Sequence, residues 1–277
     1  MDEQRERLRR LFDAVSDTYD QVGVDFFGPI SEGLVDVLDP RPGERALDLG
    51  CGRGATLFPI ARRLGPSGFA LGGDLSPRMV AQADALADEA GLANVEVRVL
   101  DAQEPEFDGA AAQGFDLLSA SLVLFFLPAP ADAVARWRPL ATPGGRVGVS
   151  TFGPPDATWD RIDQLFQPYL PPQFRDARTT GKVGPFESDA GVEELFTQAG
   201  WVDVHSTAGA YPVRFEDPDH WYRFTMSTGQ RGFWQLTPEA ERPRVRDEAY
   251  RILRGAAAAD GSVTFTQRVR YTVARNP

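Results

Sequence analysis

One cysteine, two histidines and one lysine are all that 277 residues contain of those three types. Cys51 alone cannot form an internal disulfide. With only His205 and His220 beside it, a His/Cys zinc centre lacks ligands, so no metal is expected. No Asp/Glu spacing demands magnesium either. Apolar runs stay well short of the roughly 18 residues that a membrane-spanning helix needs. The first twelve residues mix charges of both signs where a signal peptide would be apolar, and the expected compartment is the cytoplasm. Positive charge is also scarce: 40 Asp and Glu stand against 29 Lys and Arg, a formal net charge of −11. A surface that acidic repels phosphate backbones and anionic lipid, which makes nucleic acid and membranes poor partners and leaves a small molecule as the expected one. Lys182 is the single lysine, an arginine bias that reads as a high-GC bacterial coding preference. Oligomeric state has no signature in the chain.

What is present belongs to an ordinary globular protein, 42% apolar and 25% charged. Leu8, Leu11, Phe12, Val15 and Tyr19 recur at three- and four-residue steps, predicting a helix over 3–22. A second helix is expected between Pro29 and Pro40. Strand and helix patterns then alternate: strands at 45–49, 69–73, 95–100, 115–120 and 146–152, with helices at 55–64, 77–90 and 131–140 between them. Gly and Pro punctuate the ends. That alternation predicts a doubly wound α/β sheet, mostly parallel and of seven strands, with helices on both faces. Beyond Phe152 the pattern loosens into helices at 158–169, 192–199, 218–229 and 238–259, a Pro/Gly-rich loop at 170–185, a strand at 201–215 and a late antiparallel strand at 263–274. The whole chain reads as one domain: an N-terminal helical lid (1–40), a nucleotide-binding core (41–152), and an acceptor-side half (153–277) with a helical insertion over about 216–260.

The informative stretch is Asp48-Leu49-Gly50-Cys51-Gly52-Arg53-Gly54, a strand running into glycines and then a helix. Gly50, Gly52 and Gly54 let the backbone turn sharply and approach a ligand at the switch point of such a sheet. Gly50-x-Gly52-x-x-Ala55 loosely matches the dinucleotide fingerprint, so a nicotinamide dinucleotide and S-adenosylmethionine both remain open at that point. The acids separate them. Asp48 lies beside the turn where a pyrophosphate would sit and would repel it, yet it suits an ammonium and a sulfonium. Asp74, ending the second strand, can accept both ribose hydroxyls. Asp101, ending the third, can accept from an adenine amino group.

With Phe12-Asp13, Ser16, Tyr19-Asp20, Asp74-Leu75-Ser76-x-x-Met79, Asp101-Ala102 and Leu140-x-x-Pro143-Gly144-Gly145 added, the first half resembles the class I S-adenosylmethionine-dependent methyltransferases. The likeness is to the ubiquinone/menaquinone-biosynthesis type and its small-molecule relatives. The resemblance implies that Gly50 and Gly52 bound the methionine end, and that Asp74, followed by Leu75, holds the ribose. It implies further that Asp101, Ala102 and Gln103 frame adenine, that Ser119 lies by the cofactor, and that Tyr19 closes over it. Many such relatives carry a His pair after the fourth strand. Here Leu124-Phe125-Phe126-Leu127 stands instead.

The function expected is methyl transfer to an O, N or C nucleophile of an apolar or aromatic small molecule. An NAD(P)-dependent oxidoreductase and a non-catalytic S-adenosylmethionine-binding protein are the alternatives. Cys51 reads as a buried filler and His205 as a strand residue. By elimination His220 is the candidate catalytic base. Of Phe215, Trp221, Tyr222, Phe224, Phe233 and Trp234, part is expected to line the acceptor pocket.

Overall fold

Five short, nearly continuous apolar strands cannot leave either face in water, and helices bounded by Gly and Pro supply the cover. The computed structural model describes residues 3–107, 114–170 and 184–277. In it α1 (Glu3–Val15) and α2 (Phe27–Leu38) precede β1 (Arg45–Leu49), α3 (Leu57–Leu64), β2 (Phe69–Asp74), α4 (Pro77–Glu89), β3 (Val95–Val99) and β4 (Phe115–Ser121). Then come α5 (Pro130–Trp137), β5 (Ala141–Phe152), α6 (Ala157–Asp163), α7 (Asp189–Gln198) and β6 (Val202–Phe215). The helices α8 (Pro218–Met226), α9 (Arg231–Leu236) and α10 (Arg242–Gly255) lead to β7 (Val263–Arg275).

The strands form one seven-stranded sheet in the order β3-β2-β1-β4-β5-β7-β6. The first five are parallel, and β7 runs antiparallel between β5 and β6. Chain order reverses between β1 and β4, which puts the switch point at the carboxyl ends of those strands. Phe152, the last residue of β5, pairs with Val269, while the β6–β7 hairpin continues outward to the Phe215–Val263 pair. The insertion between β6 and β7 therefore projects above the same carboxyl ends.

The expected fold is the one observed, and the differences lie at element ends. The helix expected over 3–22 stops at Val15, because Ser16 Oγ donates back to the Asp13 carbonyl (3.0 Å) and the chain turns through Asp20 at φ 56°. The helix expected over 218–229 stops at Met226 as α8, and α9 is a separate helix beyond the expected bounds. The C-cap at Ser227 ends the first, with its backbone N–H on the Arg223 and Phe224 carbonyls and its hydroxyl on Phe224 O (2.8 Å). The helix expected over 158–169 ends at Asp163 and continues as a short 3-10 turn at Gln167–Tyr169. Most of the loop expected over 170–185, Lys182 included, lies outside the described residues. No helix among the described residues is long and apolar enough to cross a membrane.

Candidate functional site

The site starts at the turn after β1. Gly50 has φ 73°, and a Cβ there would sit 2.4 Å from Val123 Cγ2. Gly52 has φ 53°, and a Cβ on it would point into open space. Asp74 locks this turn: its Oδ2 accepts from Gly52 N (2.9 Å) and its Oδ1 from Ser76 N (2.9 Å). Burial pushes the Asp74 carboxyl up, the two backbone donors oppose that, and the nearby Asp13 adds to it. Ser76 caps α4 by accepting from Met79 N and donates to Asp13 Oδ1 at 2.5 Å. That bond ties the N-terminal segment to the second strand.

Around this turn is a cavity lined by Gly50, Gly52, Asp74, Leu75, Asp101 and Ala102, roofed by Arg5, Leu8, Phe12 and Tyr19. Asp101 is held in place, its Oδ1 accepting from Gln103 N (2.8 Å) and its Oδ2 from Arg5 Nη1 (2.8 Å). The structure thus brings together seven of the eleven residues that the sequence assigns to the cofactor: Tyr19, Gly50, Gly52, Asp74, Leu75, Asp101 and Ala102.

The other four stand behind the wall. Ser119 is fully buried in β4 and donates to Asp48 Oδ1 at 2.7 Å. Asp48 is 1% exposed, and its Oδ2 has no hydrogen-bond partner. Desolvation, reinforced by Asp74 and opposed by Ser119, pushes Asp48 up to about 7. Gln103 uses its amide to pin Ala129, donating to its carbonyl and accepting from its N–H at 3.0 Å each. Gly54 has φ 96°, and a Cβ there would strike the Phe58 ring, so its work is the turn into α3. Sequence reasoning missed Arg5, Met79, Leu100, Ser121 and Leu122, which also line this cavity. Arg5 carried no signal. Leu122, just past the predicted fourth strand, adopts φ 56° and donates to Ser150 O (3.1 Å) and Ser150 Oγ (3.0 Å). Left-handed backbone at a leucine is strain of the kind that collects at functional sites.

A second, larger cavity of about 270 Å³ adjoins the first. Leu8, Phe12, Tyr19, Leu122 and Phe126 line both. Tyr19 stacks on Phe27 (ring centroids 4.6 Å apart), and burial with the Asp74 and Asp20 carboxylates pushes its phenol up. The wall of the second cavity is mainly aromatic, with Phe125, Phe152, Trp159, Phe224 and Phe233. Of the aromatic cluster read from the sequence, Phe224 and Phe233 face this space, whereas Phe215, Trp221, Tyr222 and Trp234 pack behind it.

His220 is not part of it. It is 4% exposed, its Nε2 is 2.7 Å from the Val22 carbonyl, and its Nδ1 accepts from Glu216 N (3.2 Å). With both ring nitrogens held by backbone, His220 ties α8 to the 20–25 loop and has no nitrogen left for a substrate proton. The expectation of a catalytic base there is corrected accordingly. His205 lies exposed on β6, as a strand residue should. Cys51 is buried, and desolvation raises its thiol well above the ordinary range, which leaves it an inert filler.

Asp74 at the glycine turn and Asp101 across the cavity, with the orphaned Asp48 oxygen buried behind the wall, fit a cationic ligand and oppose a diphosphate. In a dinucleotide site the Gly52 N–H would face phosphate; here it is spent on Asp74. S-adenosylmethionine fits that donor set. A methyltransferase domain family model matches residues 40–199. The nocamycin O-methyltransferase of Saccharothrix syringae is 34% identical over 275 residues, covering 96% of this chain and 97% of its own. The aklanonic acid methyltransferase DauC of a Streptomyces strain is 40% identical, over 62% of this chain and 80% of its own. In fold, the phosphoethanolamine N-methyltransferase 2 of Haemonchus contortus, solved with S-adenosyl-L-methionine, superposes with a TM-score of 0.61 at 18% identity, over 100% of this chain and 60% of that one. The chain belongs to the methyltransferase domain family, on the class I S-adenosylmethionine-dependent fold that its motifs resemble.

Proposed function

We propose that the chain transfers the methyl group of S-adenosylmethionine to a hydroxyl oxygen of a small aromatic metabolite. The observation that carries this reading is the shared wall. Five residues line both the acid-rich cavity and the aromatic one, so ligands in the two meet across Tyr19, Leu122 and Phe126. The relatives named for nocamycin and aklanonic acid, both small-molecule methyltransferases by name, support the acceptor class.

Asp74 and Asp101 would hold the nucleoside hydroxyls and base, and Asp48 would offset positive charge from beneath the turn. When bound, S-adenosylmethionine would supply a methyl already activated on sulfur, with a neutral thioether as leaving group and the acceptor's hydroxyl proton released to solvent, so no protein nucleophile is needed. This chain's residues mainly align and dehydrate: the aromatic wall fixes the acceptor plane, and Tyr19 with Phe126 excludes water from the junction. Heat denaturation with S-adenosylhomocysteine, NAD and NADP added separately tests the cofactor. Stabilisation by S-adenosylhomocysteine alone is expected, and stabilisation by a dinucleotide alone would overturn the reading. A non-catalytic binding role would instead show cofactor binding without turnover on any hydroxylated aromatic.

A further inference from the structure

We propose that Asp163 and Gln230 form a polar anchor in the acceptor cavity, outside the wall it shares with the cofactor cavity, that selects aromatic acceptors bearing a second hydroxyl group. The inference rests on the proposed function for which end is reactive. That end is the wall shared with the cofactor cavity; Asp163 and Gln230 line the acceptor cavity only.

Asp163 closes α6 and is 8% exposed. A carboxylate there sits at the negative end of a helix, which disfavours its charge. Trp159, one turn earlier, is its hydrogen-bonding neighbour, and among the described residues no arginine is ion-paired with it. Burial pushes it up to about 7. Gln230, just before α9, carries a buried side-chain oxygen with no hydrogen-bond partner. A buried polar oxygen without a partner is costly, and the orphaned Gln230 oxygen beside a buried carboxyl that keeps capacity to accept, in a cavity whose wall is largely aromatic, calls for a ligand that brings donors. A flat ring satisfies the phenylalanines, and a phenolic hydroxyl satisfies Asp163. A ring with one hydroxyl can serve the reactive end or the anchor; a ring with two serves both.

The test uses probes that differ by one hydroxyl: a panel of dihydroxynaphthalenes against 1-naphthol. Dissociation constants are read by tryptophan fluorescence, since Trp159 lines the cavity, with S-adenosylhomocysteine saturating and its own affinity measured in the same samples. The wild type should bind the best diol about tenfold or more tighter than the naphthol, the scale of one hydrogen bond to a charged group. In Asp163→Leu that ratio should collapse by about tenfold, with naphthol and S-adenosylhomocysteine affinities unchanged. Asp163→Asn keeps the side-chain size, guards against a packing defect, and should lower the ratio at least about threefold. A ratio near one in the wild type, or an undiminished ratio in both variants, would overturn the proposal. Failure of S-adenosylhomocysteine to bind would strike the proposed function instead, and the diol ratio, measured in parallel without it, still tests the anchor.

Discussion

Asp74 holds the Gly52 and Ser76 N–H groups with one oxygen each, and each oxygen keeps capacity to accept from a ligand hydroxyl. Two hydrogen bonds to a carboxylate are worth about 1.5–3 kcal/mol apiece. Asp74→Ala should therefore weaken S-adenosylhomocysteine at least about a hundredfold by calorimetry, and wild-type affinity would remove the ribose assignment. His220→Asn is expected to lower stability by about 1–3 kcal/mol through the lost tie to Val22, with turnover within a few-fold of wild type. A drop of a hundredfold or more in turnover at full folding would restore it as a base. Asp163 gives a pH signature. Its carboxyl is raised from 3.8 to about 7, so between those values the unfolded chain has lost the proton while the folded one keeps it. Stability therefore falls as pH rises through that window, and the penalty is complete above about 7. Asp163→Asn removes the penalty, whereas that of Asp48 is common to both proteins. The stability advantage of the variant should widen by about 2–3 kcal/mol between pH 5 and pH 8 in chemical denaturation. An advantage that does not change with pH would mean that Asp163 titrates as an ordinary surface carboxylate. Asp74 and Asp101, which line the smaller cavity, were legible because strand ends fix their place. His220 was misread because nothing local tells whether a histidine's nitrogens meet backbone or cavity.

At the scale of elements, α1 is the part expected to move. Val15 is its one buried residue among those described, and much of its attachment is polar: Arg5 to Asp101 and Glu104, Asp13 to Ser76, and Arg53 to the Ser16 carbonyl. Beneath it the cofactor cavity has only about 90 Å³ of open volume, whereas metabolite sites are commonly about 300–1,000 Å³. The helix is therefore the element expected to shift as a nucleoside enters. Polar attachments of this kind open locally at low cost. Hydrogen exchange in residues 8–22 should slow when S-adenosylhomocysteine binds, and identical exchange with and without it would make α1 a fixed wall. Strand interiors such as β1 were easy to read, because burial on both faces leaves a run of apolar residues. Helix ends were harder. Where α1 stops depends on Ser16 turning back onto its own backbone, and where α8 stops depends on Ser227, choices that helical periodicity does not record.

Across the whole molecule, the sheet reverses order where the acids gather, and the β6–β7 hairpin carries its helical insertion over the same edge. The doubly wound half was legible from the spacing of strands, glycines and acids, since a parallel sheet with crossover helices repeats a local rule. The acceptor half was legible only in outline. Its cavity is assembled from α1, α6, α8, α9 and the loop after β4, segments far apart in the chain whose meeting no local pattern encodes. The central claim is that the two adjoining cavities pass a methyl group between them. The direct measurement supplies S-adenosylmethionine with a carbon-13 methyl group and a set of hydroxylated aromatic acceptors, then follows the label by NMR. The account predicts a labelled aryl methyl ether formed in equal amount with S-adenosylhomocysteine. Label that remains on S-adenosylmethionine across every acceptor, in protein that binds the cofactor, would contradict it.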